Sequence, residues 1–258
     1  MRFFCFIVLI SFSFVSFSSA SLLTVHFLDV GQGDSAFIEC DGHTMLIDAG
    51  PLDSGLTIVS YLQNLGIKNL DVIVSSHPHS DHIGGMVDVL NAFPVHLFVD
   101  NGAKHTTPVY RDLMKVIEKK QIPYTTAKKG NVIPFADTVS VTVTNPTFLF
   151  GDMNEDSLAL LLKYGKIRLF FPGDCEACDA LADVVKLAHH GSKGSATRGI
   201  LNKDKPDDVV ISLGRDNDYH YPAPSTVNAL KKAGVKIHRI DEESTIILKT
   251  DGKRYWFE

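Results

Sequence analysis

Cysteine is scarce in this 258-residue chain: there are four, and the first, Cys5, lies in the N-terminal segment. Cys40, Cys175 and Cys178 are too few to staple a small secreted scaffold. Cys175 and Cys178 have CxxC spacing, but a zinc ribbon needs a second such pair and the chain has none. We expect them to be small, partly buried side chains at a helix start, with a single disulfide after export as the alternative. An excess of positive charge is also missing. Lys and Arg total 25 against 30 Asp and Glu, for a net charge of −5. This excludes a chain held to nucleic acid by its overall charge, so polyanion contacts would need a local basic patch. Past residue 20 no apolar run approaches the roughly 20 residues that cross a bilayer. Short repeats and low-complexity linkers are absent too, and residues 21–258 read as one domain with a large core.

The first twenty residues stand apart. Arg2 precedes an apolar run, Phe3 to Phe17, and then Ser18-Ser19-Ala20. A positive start, a short apolar middle and small residues at a cleavage point form a secretory signal, here residues 1–20. The expectation is cleavage after Ala20 and a secreted, extracellular or periplasmic, product. No membrane association after cleavage and no protein partner are indicated.

The elements follow from periodicity. Strands are predicted at Leu22–Val30, Ser35–Cys40 and Thr44–Ile47, with Asp41-Gly42 as a hairpin turn. A helix is predicted over Leu56–Leu65, and Asp71–Ser75 (DVIVS) reads as a strand buried on both faces. Helices at His82–Phe93 and Pro108–Lys119 flank a strand at Val95–Val99. Strands follow at Val139–Thr144, Ser157–Tyr164, Ile167–Phe171, Val184–Ala188 and Val209–Ser212, then a helix at Ser225–Ala233. Two strands, Ser244–Thr250 and Lys253–Phe257, close the chain. Strands, then strand/helix units, then the same again suit two mixed sheets packed face to face with helices outside, an α/β (α+β) fold.

What the chain does have is histidine in one place. His77-Pro78-His79-Ser80-Asp81-His82 puts three imidazoles and a carboxylate just after the DVIVS strand. These are the ligand types that zinc and similar metals prefer. His77 and His79 can grip one ion while Asp81 and His82 reach a second. Pro78 stiffens the loop and Gly84-Gly85 lets the backbone turn beneath it.

HPHSDHIGG resembles the HxHxDH signature of the metallo-β-lactamase fold superfamily. FLDVGQGDS (Phe27–Ser35), LIDAG (Leu46–Gly50), PGD (Pro172–Asp174) and HHGS (His189–Ser192) make it similar to one branch. That branch is the metallo-hydrolase domain of the ComEC-type competence proteins and its free-standing secreted relatives. The resemblance implies a four-layer αββα sandwich with metals at one sheet edge. It implies His77 and His79 on a first metal, Asp81, His82 and His190 on a second, and Asp174 bridging them. His189 is the alternative to His190. Asp174 is open to a second role as a helix N-cap. Asp48 is expected to orient the histidine loop, and Asp34 either does likewise or fixes its turn. Asn154 and Ser157 resemble an N-x-x-S element that either touches water or substrate or merely turns into a strand.

Two departures stand out. Relatives often carry another first-metal histidine before the bridging Asp. Only His96, expected in the core, and His105, on a loop able to cover the site, occupy that interval. Where the family has Tyr-Gly-His-Pro, this chain has Tyr219-His220-Tyr221-Pro222. Either His220 reaches the site by a shifted loop or Tyr221 contacts substrate. The resulting expectation is a hydrolase that uses a metal-activated water, with Asp81 and Asp174 as catalytic groups. Its cofactor would be zinc, in two ions, with manganese or iron as alternatives. Resemblance favours a nucleic acid or small phosphodiester as substrate, with Lys186, Lys193, Arg198, Lys203 and Lys205 available for phosphate contacts. The alternatives are a metal-binding module that has lost turnover and a β-lactam or ester hydrolase.

Overall fold

A computed structural model describes residues 21–196, 200–201 and 205–258. Residues 1–20, read above as a secretory signal, lie outside the described residues together with Arg198 and Lys203. The first half runs β1 (Leu23–Phe27), β2 (Ala36–Cys40), β3 (His43–Ile47), α1 (Gly55–Asn64), β4 (Leu70–Val74), α2 (Ser80–Ile83), α3 (Met86–Ala92), β5 (Val95–Asp100), α4 (Pro108–Lys119) and β6 (Tyr124–Thr126). The second runs β7 (Val132–Ile133), β8 (Val139–Asn145), β9 (Ala159–Tyr164), β10 (Ile167–Phe171), β11 (Val184–Lys186), β12 (Asp208–Ile211), α5 (Pro224–Ala233), β13 (Lys236–Arg239), α6 (Ile240–Glu243), β14 (Ile246–Thr250) and β15 (Tyr255–Phe257).

The strands form two sheets, ordered β15-β14-β1-β2-β3-β4-β5-β6 and β13-β12-β11-β10-β9-β8-β7. Alternation along each strand explains the layers. In β4, Val72 and Val74 point into the core between the sheets while Ile73 packs outward on the helix side. That is why the centre of DVIVS, Val72-Ile73-Val74, is apolar on both faces. Between the sheets Val25, Phe27 and Ile38 meet Val141, Leu160 and Leu169, and the Phe27 and Phe171 rings stack at 5.9 Å. On the outer face of the first sheet Phe37, Leu46 and Phe98 pack against Ile58 and Leu62 of α1, Leu90 of α3 and Leu113 of α4. On the second, Phe170, Val185 and Ile211 share a core with Leu230 of α5. The order is helix, sheet, sheet, helix, as the sequence implied. Among the described residues no helix is long and apolar enough to cross a membrane.

Three local expectations change. The helix expected over His82–Phe93 is broken into α2 and α3. The 49–50 turn takes its hydrogen bonds there: Ala49 N donates to His82 O (2.7 Å) and Gly85 N to Ala49 O (3.2 Å). No helix follows Asp174, so the N-cap role is gone, and Cys175 and Cys178 are joined in a disulfide instead. His96, expected in the core, has its ring 63% exposed beside Asp71.

β3, β4, β5 and β6 are mutually parallel, as are β10, β11, β12 and β13. Loops leaving the carboxyl ends of parallel strands gather at one edge, where open α/β sheets bind ligands. The expected metal-ligating residues follow β4, β10 and β11, and these are brought together there.

Candidate metal centre

The β4–α2 turn carries His77 and His79 and α2 carries Asp81 and His82, with His77 and His82 fully buried. From the other sheet, Asp174 follows β10 and His190 follows β11. The chain passes through His189 and His190 in the left-handed region, at φ 47° and 53°. This sends the neighbouring rings to different places: His190 is buried, and the His189 side chain is 28% exposed on the cleft wall.

Asp174 sits between two sets of donors. Its Oδ2 is 3.7 Å from His77 Nε2, and its Oδ1 is 3.2 Å from His82 Nε2 and 3.8 Å from His190 Nε2. His190 Nε2 is also 3.3 Å from Asp81 Oδ2. Donor atoms of Asp81, His82, Asp174 and His190 all fall within 4.8 Å of one another, and so do those of His77, His79 and Asp174. These two groups, sharing Asp174, could each hold an ion. A third donor group, Asp34, Asp48 and His82, is instead committed to internal partners.

The donor chemistry fits a cation. His82 Nε2 and Asp174 Oδ1 are buried without a hydrogen-bond partner, a costly condition for polar atoms inside a protein. His77 Nε2 and His79 Nδ1 converge to 3.0 Å. Burial, and then the neighbouring His82, hold the His77 imidazolium well below its usual range, so the ring is neutral and its lone pair available. Burial lowers His79 as well. Burial disfavours the Asp174 charge, yet His82, His190 and His77 outweigh it and hold that carboxyl well below the usual carboxylate range. Burial also opposes charge on His190, but Asp34, Asp174 and Asp81 together push its pKa up to about 9.

A layer of hydrogen bonds aims these side chains. Asp48 Oδ1 accepts from Ser76 N and Oδ2 from Ser76 Oγ, each at 2.7 Å, and Oδ2 lies 2.9 Å from His82 Nδ1. Asp48 thus has the orienting place expected of it. Asp34 does more than fix its turn: it forms a buried ion pair with Lys186 and lies 3.2 Å from His190 Nδ1. Lys186, expected to face phosphate, is therefore turned inward. Its burial escaped the sequence because lysine is rarely interior without a partner, and Asp34 is 152 residues away. Ser157 is fully buried, 3.2 Å from His77 Nδ1, and its Oγ accepts from Asp174 N. It lies beneath His77 and Asp174 and is not part of the cleft lining.

The remaining candidates divide. A cleft of about 330 Å³ is lined by His79, Asp81, Asp174, His189 and His190, and also by His105, Asn154 and Tyr221. His105 approaches His79 edge-on at 6.2 Å but joins no donor group among the described residues. Asn154 Nδ2 lies 3.5 Å from His189 Nε2. His220 misses the site: it faces a neighbouring groove with Arg215 and Pro222, whereas Tyr221 turns into the cleft. Gln32, Thr107 and Tyr219 also line the cleft and were not among the expected site residues; Gln32 lies in FLDVGQGDS and Tyr219 in Tyr219-His220-Tyr221-Pro222, whereas Thr107 stands in no such motif.

A family profile described as the metallo-beta-lactamase superfamily matches residues 28–215. The chain belongs to that superfamily. Among curated proteins it is 26% identical over 254 residues to ComE operon protein 3 of Bacillus subtilis (strain 168), covering 86% of this chain and 32% of that one. It is 29% identical over 244 residues to Recombination protein 2 of Haemophilus influenzae, covering 88% and 29%. Competence protein ComA of Neisseria gonorrhoeae is 27% identical over 227 residues, covering 83% and 30%. The chain thus spans about a third of the length of the curated relatives it matches. Among solved structures it is similar to Igni18, a metallo hydrolase from Ignicoccus hospitalis, with a TM-score of 0.57, 19% identity and coverage of 87% of this chain and 98% of that one. It is also similar to Zn(2+)-bound PqqB from Methylobacterium extorquens, with a TM-score of 0.54, 14% identity and coverage of 84% and 97%. At such identity these structures speak for the fold alone.

Proposed function

We propose that this chain is a secreted two-metal hydrolase that cleaves phosphodiesters of nucleic-acid type. The observation that carries the reading is Asp174, one carboxylate whose two oxygens face two separate donor groups on the floor of an open cleft. His77, His79 and Asp174 would hold one ion, and Asp81, His82, Asp174 and His190 the other. Zinc suits the imidazole-rich set, and manganese or iron suits the carboxylates. Divalent ions there supply Lewis acidity, which neutralises charge on a substrate oxygen and makes water a competent nucleophile near neutral pH.

The protein's own groups do the rest. His190 and His82 outweigh the effect of burial and keep the Asp81 carboxyl ionised. Its side chain, 30% exposed at the cleft, can orient an attacking water. Asp48 and Ser157 hold His82 and His77 in place, which spares the site reorganisation during the reaction. Similarity to competence proteins supports a nucleic-acid substrate. The Cys175–Cys178 disulfide supports export, since such bonds persist in oxidising compartments.

The test is metal analysis of the purified protein, followed by assays on a phosphodiester, a nucleic acid and a chromogenic lactam. The expected result is two ions per chain and turnover of the first two substrates, abolished in the His79→Ala, Asp81→Ala double variant. Stoichiometric metal without turnover of any substrate would reassign the chain as a binding module. Activity unchanged in the double variant would remove the hydrolase reading altogether.

A further inference from the structure

The loop after β12 places two tyrosines on the cleft that holds Asp81, Asp174 and His190. The Tyr219 and Tyr221 rings are nearly parallel, with centroids 5.5 Å apart and planes at 18°. Tyr221 is half-buried and meets His189 edge-on at 5.9 Å. Tyr219 is 63% exposed, so its ring contributes little to folding. Between them the backbone turns through His220 at φ 56°, which sends His220 to the next groove while the two tyrosines share one side.

The backbone that carries Tyr221 is also held in place. Asn217 Nδ2 donates to Gly214 O (3.0 Å) and Tyr221 O (2.8 Å), while Asn217 Oδ1 accepts from Tyr221 N (2.9 Å). A prepositioned ring pair costs less ordering on binding than a loose one. Offset aromatic stacks are favourable, and a pair with an exposed outer ring can be extended by any planar group that enters the cleft. Bases recognised this way stack on successive aromatic side chains with little regard to their identity.

We infer that Tyr219 and Tyr221 form a stacking subsite for a nucleobase flanking the bond that is cleaved. The preferred substrate then presents unpaired bases, as single strands and frayed ends do, because a base inside a duplex has no free face to offer. This inference rests on the phosphodiester reading above and adds to it which part of the substrate is gripped and by what.

The experiment compares a single-stranded oligothymidylate with an oligomer of the same length and backbone whose sugars are abasic. Both are given to the metal-loaded enzyme and to the metal-free protein, with KM and kcat read on the first and fluorescence anisotropy on the second. Base–aromatic stacking predicts a KM and a dissociation constant about 5-fold or more lower for the base-bearing strand. That preference should fall to about 1 in Tyr219→Ala and Tyr221→Ala and persist in Tyr219→Phe and Tyr221→Phe, which keep the ring and lose only the hydroxyl. Tyr219→Ala removes a surface ring, so loss of folding does not confound it, and circular dichroism checks this. Cleavage of both strands with equal KM in the wild type, or a preference that survives both alanine variants, overturns the subsite and leaves the nuclease reading standing. A wild type that neither binds nor cleaves either strand sinks the nucleic-acid reading, and the subsite with it.

Discussion

Replacing Lys186 by Met would test whether a buried ion pair between the two sheets holds the candidate metal ligands in place. Lys186 ends β11 and Asp34 lies on the β1–β2 turn, so their ion pair ties the two sheets together beneath the cleft. Each residue is only 5% exposed. Without Lys186, Asp34 keeps only the His190 and His82 imidazoles, at 3.2 and 3.7 Å, to answer its charge. Removing one partner of a buried pair costs about 3–5 kcal/mol. In a chain of this size each kcal/mol moves Tm by about 2–4 °C, so the metal-free variant should melt about 6–20 °C lower. Asp34→Asn should cost a similar amount by stranding the ammonium, and the double variant should lose far less than the sum of the two. Thermal and urea unfolding of all four proteins close the cycle. Because Asp34 also touches the His190 ring, metal affinity in competition with a chromophoric chelator should fall about 10- to 100-fold in each single variant. Strictly additive losses, with a coupling below about 0.5 kcal/mol, would refute the idea that the pair acts as one buried unit.

Two further outcomes follow from the same geometry. In the metal-free protein the His190 pKa lies at about 9, above the ordinary value of 6.5, so its charge stabilises the fold fully below pH 6.5 and that contribution is lost as pH rises through about 9. His82 is shifted in the same direction, and Tm measured from pH 6 to 10 should decline across that window; a flat or rising Tm there would contradict the assignment. Gly33→Ala should weaken the second ion selectively. An added Cβ would lie 2.3 Å from Asp81 O and 2.9 Å from Pro51 Cδ, where the Asp34 N–H now donates to Asp81 O at 3.1 Å. The expected cost is about 1–3 kcal/mol, with a drop in bound metal from two ions toward one, and two ions retained at wild-type affinity would count against it.

Much of this arrangement was legible because it rests on short-range patterns. DVIVS announced a strand covered on both faces, and the histidine cluster after it announced a ligand loop at a strand end. The misses come from interactions that local sequence does not encode. β13 (KIHR) lacks an apolar alternation because it is the edge strand of its sheet. Its inward residue, His238, is buried by pairing with Asp208 at 2.9 Å. β6 and β7 are too short to show a period at all. His189 and His190 are adjacent and chemically identical, so only the left-handed backbone at both positions decides which ring goes inside. Cys175 and Cys178 carried the right spacing for a bond. The structure closes that bond with their Cα atoms 5.3 Å apart, in a segment that forms no helix.

The division of the ligands between the sheets has a physical consequence. His77, His79, Asp81 and His82 leave the first sheet, while Asp174 and His190 leave the second. Neither sheet alone can complete either donor group, since Asp174 belongs to both. The relative placement of the two halves is set by the apolar layer between them, with Phe27 on Phe171 at its centre, and by the Asp34–Lys186 pair. Close-packed interiors do not deform gradually, so the layer fixes the gap between donor groups to within the tolerance that coordination demands. On the proposed two-metal reading, a substitution at Phe27 or Phe171 would act on the ions without touching them, and an ion bound across Asp174 would in turn resist separation of the sheets. The core and the proposed metal centre would therefore be energetically linked, with Asp174 as the residue through which each acts on the other.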